Sequence, residues 1–353
     1  MTKDILNKAL EGQRILGEEA LFLYDNADLL TLGTFANLIR NKKTDKNQVT
    51  FVIDRNINYT NICISGCKFC AFYKNPGEEG GYWITEKELE QKINETKEVG
   101  GTQILLQGGL HPDKKLNDYV KLLKYMKSFD IHIHGFSPPE ISHIAELENM
   151  SVKDVLKVFI DSGLGSIPGG GAEILVNEIR QKISPNKCNA DKWLDVMEDA
   201  HSLGLKTTAT MMFGHIEKKE DIIEHMERLR QLQDKTKGFT AFIPWTFQPA
   251  NTKIKSTTVT SAEYLRVLAL ARIFLDNFDN IQASWVTQGS KIAQTALFFG
   301  ANDLGSTMIE ENVVKAADID FRLPMDEMIR LVQTAGFEPW QRDCFYNRIK
   351  KLD

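Results

Sequence analysis

Three of the five cysteines in this 353-residue chain fall in one short stretch, at Cys63, Cys67 and Cys70, with the spacing C-x3-C-x2-C. Thiolates are soft ligands, and three so close converge readily on one metal centre. A cubic [4Fe–4S] cluster ordinarily takes four cysteines. The remaining two, Cys188 and Cys344, lie far along the chain. If neither joins, one iron keeps an open position, which is what a catalytic metal needs. Such an iron can chelate a small molecule carrying an amino and a carboxylate group. Two plainer readings stand beside this one: a structural zinc site short of its fourth ligand, and a chance grouping of thiols. Zinc sites usually pair C-x2-C units or add histidine, and the nearest downstream histidine is His111.

Other candidate residues follow apolar, strand-like runs. Gln107-Gly108-Gly109-Leu110 ends one of them, and glycines there let the backbone approach a ligand closely. Ser166 to Gly171 is a short strand and a glycine turn, a possible anion cradle, with Glu173 in the first turn of a helix expected from Ala172 to Lys182. His215 and Glu217 follow a strand ending at Gly214 and are plausible acid–base groups, since histidine titrates near neutrality. Trp245 and Phe247 offer faces for an aromatic substrate, with the Gln248 amide beside them. Tyr59 and Arg55 flank the start of the cysteine loop and are expected to face the same pocket.

The elements that must position these residues alternate. Strand-like runs at 51–57, 103–106, 131–136, 166–168, 206–214, 239–247, 281–286 and 301–307 are separated by helical segments, several of them capped. Thr85 with Glu88 and Ser151 with Asp154 have capping-box spacing. Regular β-α alternation means a parallel sheet, and about eight strands over this length fit a (β/α)8 TIM-type barrel. A doubly wound sheet is the alternative. The barrel is preferred because Cys63, Gln107, Glu140, Gly169, His215, Gln248 and Gln288 all follow strands, at the rim where barrel active sites lie. Residues 1–48 read as a helical extension packed on the barrel, and 49–353 as the barrel with a closing helix from Met325 to Ala335. The polar run Arg40 to Asn47 reads as a solvated loop.

Composition is that of an ordinary globular chain, 42% hydrophobic and 26% charged, with a net charge of −5 from 43 basic and 48 acidic residues. The acidic balance argues against a nucleic-acid partner. No run of about 18 apolar residues argues for a membrane span, and the N-terminal stretch has no signal-peptide core. Five cysteines in a chain this long do not form a disulfide framework, which suits a reducing, cytoplasmic setting.

The cysteine loop, with Phe69 just before Cys70, resembles that of the radical S-adenosylmethionine superfamily. Asn58 to Asn61, Gln107 to Pro112, Ile167 to Leu175, Thr207 to Glu217, Phe242 to Thr252, Gln282 to Trp285 and Gly300 to Thr307 together resemble the cyclic dehypoxanthinyl futalosine synthase family of menaquinone biosynthesis. The stretch Pro244-Trp245-Thr246-Phe247-Gln248 is the most discriminating. Aminofutalosine synthase and the deazaflavin-precursor synthase are similar sister families, and a zinc-dependent barrel hydrolase is the alternative of a different class. The resemblance implies a [4Fe–4S] cluster on Cys63, Cys67 and Cys70, with S-adenosylmethionine at its open iron. It implies a 5′-deoxyadenosyl radical that abstracts the ribose 4′ hydrogen of dehypoxanthine futalosine, followed by closure of the sugar onto the benzoate ring. Phe69, Gln107, Gly108, Gly109, Ser166 and Glu173 are then the expected cofactor contacts. Tyr59, His215 and Glu217 are the expected catalytic groups, and Trp245, Phe247 and Gln248 the substrate contacts. The implied partners are this small molecule and a one-electron donor such as flavodoxin or ferredoxin.

Overall fold

The alternating strands form a ring. In the computed structural model, which describes every residue except 320, 322 and 353, the strands are β1 (Gln48–Val52), β2 (Asp54–Asn58), β3 (Gln103–Gln107), β4 (His132–Gly135), β5 (Ser166–Ile167), β6 (Lys206–Phe213), β7 (Phe239–Thr246), β8 (Asn280–Ile281), β9 (Asp303–Ser306), β10 (Glu338–Arg342) and β11 (Arg348–Lys351). β2 through β8 make one parallel seven-stranded sheet in chain order. β1 and β2 are one run of chain interrupted at Ile53. β9 pairs in parallel with β1, Thr50 opposite Asp303 and Val52 opposite Ser306. On its other side it meets the end of β8 through a bridge between Gln282 and Asp303. Ala283 N donates to Asp303 O at 2.9 Å and Thr307 N to Val52 O at 2.9 Å. β9 thus closes the curled sheet into the (β/α)8 barrel that the alternation predicts, with all strand C-termini on one rim.

Local chemistry explains most element ends. Thr85 Oγ1 accepts from Glu88 N at 3.2 Å, and Glu88 returns a bond to Thr85 N at 3.0 Å, opening the helix Glu86–Glu98. Ser151 caps Val152–Ser162 with one such bond, its Oγ accepting from Asp154 N at 3.1 Å. Pro138 opens a helix, Pro138–Glu148, that the sequence reading left out. The helix expected from Ala172 begins later, at Asn177, and ends at Ile183.

The N-terminal helices Gly17–Asn26 and Leu29–Lys43 pack on the barrel helices Lys219–Thr236 and Ser261–Phe274. Arg40 is not in a solvated loop. It ends the helix Leu29–Lys43 fully buried, donating to Gln48 O at 2.9 Å, with its guanidinium 4.7 Å from the centroid of the Phe337 ring. Burial pushes its pKa down to about 10.

The closing helix is present, Met325–Thr334, but the chain continues past it. β10 pairs in parallel with β1, and β11 folds back antiparallel on β10. The connection between them enters the lower end of the barrel, where Cys344 Sγ lies 3.1 Å from Ser166 Oγ. Arg342 donates to Asp303 at 2.5 and 2.9 Å, an ion pair buried on both sides. Removing one partner of a buried pair leaves a charge uncompensated. Arg342→Leu is therefore expected to destabilise the fold by about 3–5 kcal/mol, read from urea unfolding. A loss below about 1 kcal/mol, the size of an exposed pair, would show that the floor of the barrel is not held this way.

Candidate active site

The cysteine loop leaves the top of β2 and is tethered along its length. Ile84 N donates to Tyr59 O, Cys63 N to Lys74 O, Ile64 N to Leu110 O and Lys68 N to Ile183 O, at 2.8 to 3.0 Å. Gly66 turns the loop with φ +58°. Ser65 Oγ sits 2.9 Å from Cys63 Sγ and 3.3 Å from Cys67 Sγ, and Leu110 N donates to Cys63 Sγ at 3.2 Å. No disulfide ties any cysteine among the described residues. Burial pushes the Cys67 thiol up to about 11 and raises that of Cys70, while the charge of Lys187 pulls both the other way. The protein alone therefore leaves these thiols protonated at neutral pH, and a cationic centre must displace the protons to bind. Three free, gathered thiols with a backbone N–H aimed at one sulfur fit a cluster of thiolate-held irons.

The glycines of the rim owe their identity to packing. A Cβ on Gly108 would lie 2.5 Å from the Tyr59 ring, and one on Gly109 would lie 2.2 Å from Ile62 O and 2.8 Å from Cys63 Cβ. The close approach is between β3 and the cysteine loop itself. Leu110, next in the chain, is buried and serves through its backbone N–H. Tyr59 is fully buried and does not face the cavity. Its ring packs against Trp83, Tyr119 and Phe136, and its hydroxyl donates to Glu140 Oε1 at 2.6 Å. Gly108 N donates to the same oxygen at 3.0 Å. Tyr59 is thus part of the packed barrel wall, and Glu140 joins it to the backbone of Gly108. Arg55 also faces away, bonded to Lys92 O and Glu95 of the helix outside.

Glu173 is not in a helix. It has φ +40° in the loop after β5, and its carboxylate accepts from Lys187 Nζ at 2.9 Å and from Arg180 at 3.5 Å. Lys187 Nζ lies 5.1 Å from the centroid of the Phe69 ring. Burial works against its ammonium, but Cys67 and Glu173 outweigh it and hold its pKa above the ordinary lysine value. Phe69, Glu173 and Lys187 so connect the cysteine loop to the interior of the barrel.

That interior holds a cavity of about 280 Å³. One wall carries Asp54, Asn56, Gln103 and Gln107 from β2 and β3, with Leu105 among them. The other carries Ile243, Trp245, Trp285 and Val286, with Gln282, Ser284 and Thr287 at its edge. Glu173 also belongs to the lining, with His134, Cys344 and Tyr346 at the floor. Burial keeps His134 neutral, with a pKa of about 3.

Of the expected site residues, Gln107, Glu173 and Trp245 line this cavity. Phe247 is core packing, buried over His215 with ring centroids 6.2 Å apart. Gln248 is buried and bonded to Thr246 Oγ1 at 3.0 Å. Ser166 lies at the floor, bonded to His132 and His134 at 2.7 Å each, far from a role beside the cysteines. His215 Nδ1 lies 2.9 Å from a Glu217 carboxylate that also accepts from Gly214 N and His215 N, Ile216 N donates to the same ring nitrogen at 2.8 Å, and His215 Nε2 has no partner among the described residues. Burial opposes ionisation of Glu217, but His215 and these N–H groups hold its pKa near 2. Gly214, at φ +93°, turns the chain away from the cavity after β6 and carries both side chains with it.

Burial pushes the Glu140 carboxyl up to about 7 from its ordinary 4.5, against the hydrogen bonds from Ser137, Tyr59 and Gly108. A carboxyl that binds its proton more tightly folded than unfolded contributes stability that is full below about 4.5 and declines as pH rises toward 7. Glu140→Gln is expected to flatten that decline in urea midpoints measured across this window. A variant whose midpoints fall as steeply as those of the wild type would place the titrating group elsewhere.

Residues 57–229 match the Radical SAM superfamily, and residues 236–352 match the CofH/MqnC C-terminal region. A cyclic dehypoxanthine futalosine synthase from Halalkalibacterium halodurans is 43% identical over 99% of this chain and 95% of its own length. One from Streptomyces coelicolor is 42% identical over 98% of this chain and 88% of its own. A 5-amino-6-(D-ribitylamino)uracil–L-tyrosine 4-hydroxyphenyl transferase from Methanopyrus kandleri is 42% identical over 86% of this chain and 85% of its own. Among solved structures, the FeFe-hydrogenase maturase HydG from Carboxydothermus hydrogenoformans superposes with a TM-score of 0.75 at 16% identity, over 98% of this chain and 80% of that one, and shares the fold. A near-full-length match at this identity, together with a three-thiol loop at the mouth of a barrel cavity, places the chain in the radical S-adenosylmethionine superfamily and, within it, in the cyclic dehypoxanthine futalosine synthase family.

Proposed function

We propose that this enzyme converts dehypoxanthine futalosine to its cyclic product, a step toward menaquinone, using a [4Fe–4S] cluster and S-adenosylmethionine. The observation that carries the reading is the junction of the cysteine loop with a two-sided cavity: Gln107 and Glu173 belong to the cavity lining and also adjoin the residues that hold the loop. When bound, the cluster and S-adenosylmethionine supply the hydrogen-abstracting chemistry.

The chain's own residues do the rest. Cys63, Cys67 and Cys70 are the cluster ligands in this reading, leaving one iron for the cofactor. Lys187 places a buried positive charge beside the anionic loop. Phe69, Gln107, Gly108, Gly109 and Glu173 frame the cofactor, the two glycines through the backbone edge that Glu140 and Tyr59 hold in place. Trp245 offers its face to the benzoate ring across from the polar strands. Aligning a sugar carbon with that ring inside a closed barrel lowers the entropic part of the barrier and keeps water from the reaction. Exposed Lys68 and Lys253, joined by the bond from Lys253 N to Lys68 O at 2.7 Å, lie on the outer side of the loop and suit an acidic one-electron donor such as flavodoxin or ferredoxin. The free thiols suit a reducing compartment such as the cytoplasm.

Alanine at any one of Cys63, Cys67 or Cys70 should abolish the brown cluster absorbance, while Cys188→Ala should keep the wild-type iron content. Equal iron loss in the last variant would point to a fourth protein ligand. Trp245→Ala should raise KM for dehypoxanthine futalosine by roughly tenfold or more, the scale of a lost aromatic contact with its buried area, while cleavage of S-adenosylmethionine continues. Unchanged KM would remove the ring from the Trp245 face. Anaerobic turnover with dithionite decides the substrate: conversion of the enolpyruvyl-benzoate compound, or of tyrosine with ribitylamino-uracil, in place of dehypoxanthine futalosine would assign a sister reaction.

A further inference from the structure

The polar wall of the cavity carries hydrogen-bonding atoms that the protein itself leaves unused. Asp54, Asn56 and Asn58 alternate along β2, and Gln103, Leu105 and Gln107 along β3, with Asp54 opposite Gln103, Asn56 opposite Leu105 and Asn58 opposite Gln107. Residues two apart on a strand face the same side. Asn56 and Gln103 both line the cavity and are 5% and 4% exposed. Among the described residues, Asn56 Oδ1 and Gln103 Oε1 have no hydrogen-bond partner, and neither does the Tyr346 hydroxyl at the floor.

The orientation of Gln103 is set by its neighbour. Its Nε2 donates to Asp54 Oδ2 at 2.7 Å, and Asp54 also accepts from Ser306. The atom of Gln103 left over is therefore an acceptor. A buried acceptor without a donor is unfavourable, and a fold keeps such atoms where something else supplies the donor. That ligand must bring hydroxyl or N–H groups. A carboxylate brings none, and the Asp54 carboxyl beside Gln103 would disfavour it further. Asn56 has both an acceptor and a donor edge, and a hydroxyl can serve either. The two residues stand diagonally across the strand pair, two residues along and one strand over, about 8 Å apart, a span that two vicinal hydroxyls with a hydrogen bond at each end bridge.

We propose that Asn56 and Gln103 are specificity-determining residues that read the vicinal hydroxyls of the substrate's sugar. The sugar then lies along β2 and β3, with the aromatic acid on the Trp245 side. The identity of the sugar rests on the cyclase reading above, whereas the demand for a hydroxyl-bearing ligand comes from the wall itself.

The test is equilibrium binding to the cluster-loaded enzyme with S-adenosylmethionine and no reductant, so that nothing turns over. The probes are dehypoxanthine futalosine and an analogue whose ribose C2 and C3 hydroxyls are replaced by hydrogen. Wild-type enzyme should bind the analogue at least about tenfold more weakly, the scale of one or two lost hydrogen bonds. Asn56→Leu and Gln103→Leu, made separately, should each weaken the parent compound and leave the analogue nearly unchanged, so that the preference shrinks. Iron content and S-adenosylmethionine binding report whether each variant folds, and the wild-type arm answers the question without any substitution. Equal wild-type affinity for the two compounds overturns the proposal and leaves these atoms to water. So does a full preference retained in both variants. Tight, hydroxyl-dependent binding without conversion after reduction would count against the cyclase reading alone. Binding of neither compound would overturn both.

Discussion

Asp303 is the residue on which the shape of this protein depends. It is fully buried at the seam of the barrel, and its carboxylate accepts from Arg342 Nε and Nη2, Thr50 Oγ1 and Gly305 N. Its backbone bridges to Gln282, and its strand pairs with β1. One side chain so joins the last strand of the ring, the first strand and the C-terminal segment that fills the floor. Four donors on one carboxylate meet the desolvation of a buried charge. The seam matters for chemistry because β1 and β2 are one run of chain: the strand that Asp303 anchors below carries the polar wall in its middle and the cysteine loop at its upper end.

The upper end shows how little freedom a cluster loop has. The two glycines after β3 leave no Cβ between that strand and the loop, and Glu140 clasps Gly108 N and the Tyr59 hydroxyl at once. A carboxyl so buried stays near neutrality, which lets it hold two donors without a buried net charge at low pH. On the opposite side Lys187 brings a positive charge to the thiols through Phe69 and Glu173. The loop is held by backbone bonds to three separate parts of the barrel, which fixes its path across the rim.

Between loop and floor the barrel lumen is divided by chemistry. Strands β2 and β3 put amides and a carboxyl inward, whereas β7 and the start of the helix Trp285–Ala296 put Ile243, Trp245, Trp285 and Val286 inward. The polar half is unusual for a barrel interior, which is ordinarily filled by branched apolar residues, and the space left open there is the room a substrate needs.

The sequence by itself determined the barrel class, most of the strands and the grouping of three cysteines in one loop, because these rest on local spacing and on period-two and helical patterning. The capping box at Thr85 and the Ser151 cap were legible for the same reason. It did not reveal β10 and β11. Glu338–Arg342 contains proline and charged residues, and Arg348–Lys351 is exposed throughout, so neither alternates; their pairing with β1 is a long-range matter. It misread Arg40 as solvated, since a charge run looks the same whether its first member faces water or caps a strand end. The division of rim residues was likewise invisible. Tyr59, His215, Glu217, Phe247 and Gln248 have the right types and follow strands, but none lines the cavity: aromatic packing holds Tyr59, a left-handed turn at Gly214 diverts His215 and Glu217, Phe247 packs on His215, and Gln248 bonds Thr246. Residue type states what a side chain can do. Only the tertiary structure decides which way it points, because that depends on neighbours from other strands, and here it turns Gln107, Glu173 and Trp245 to the cavity together with Asn56 and Gln103, which the motifs did not single out.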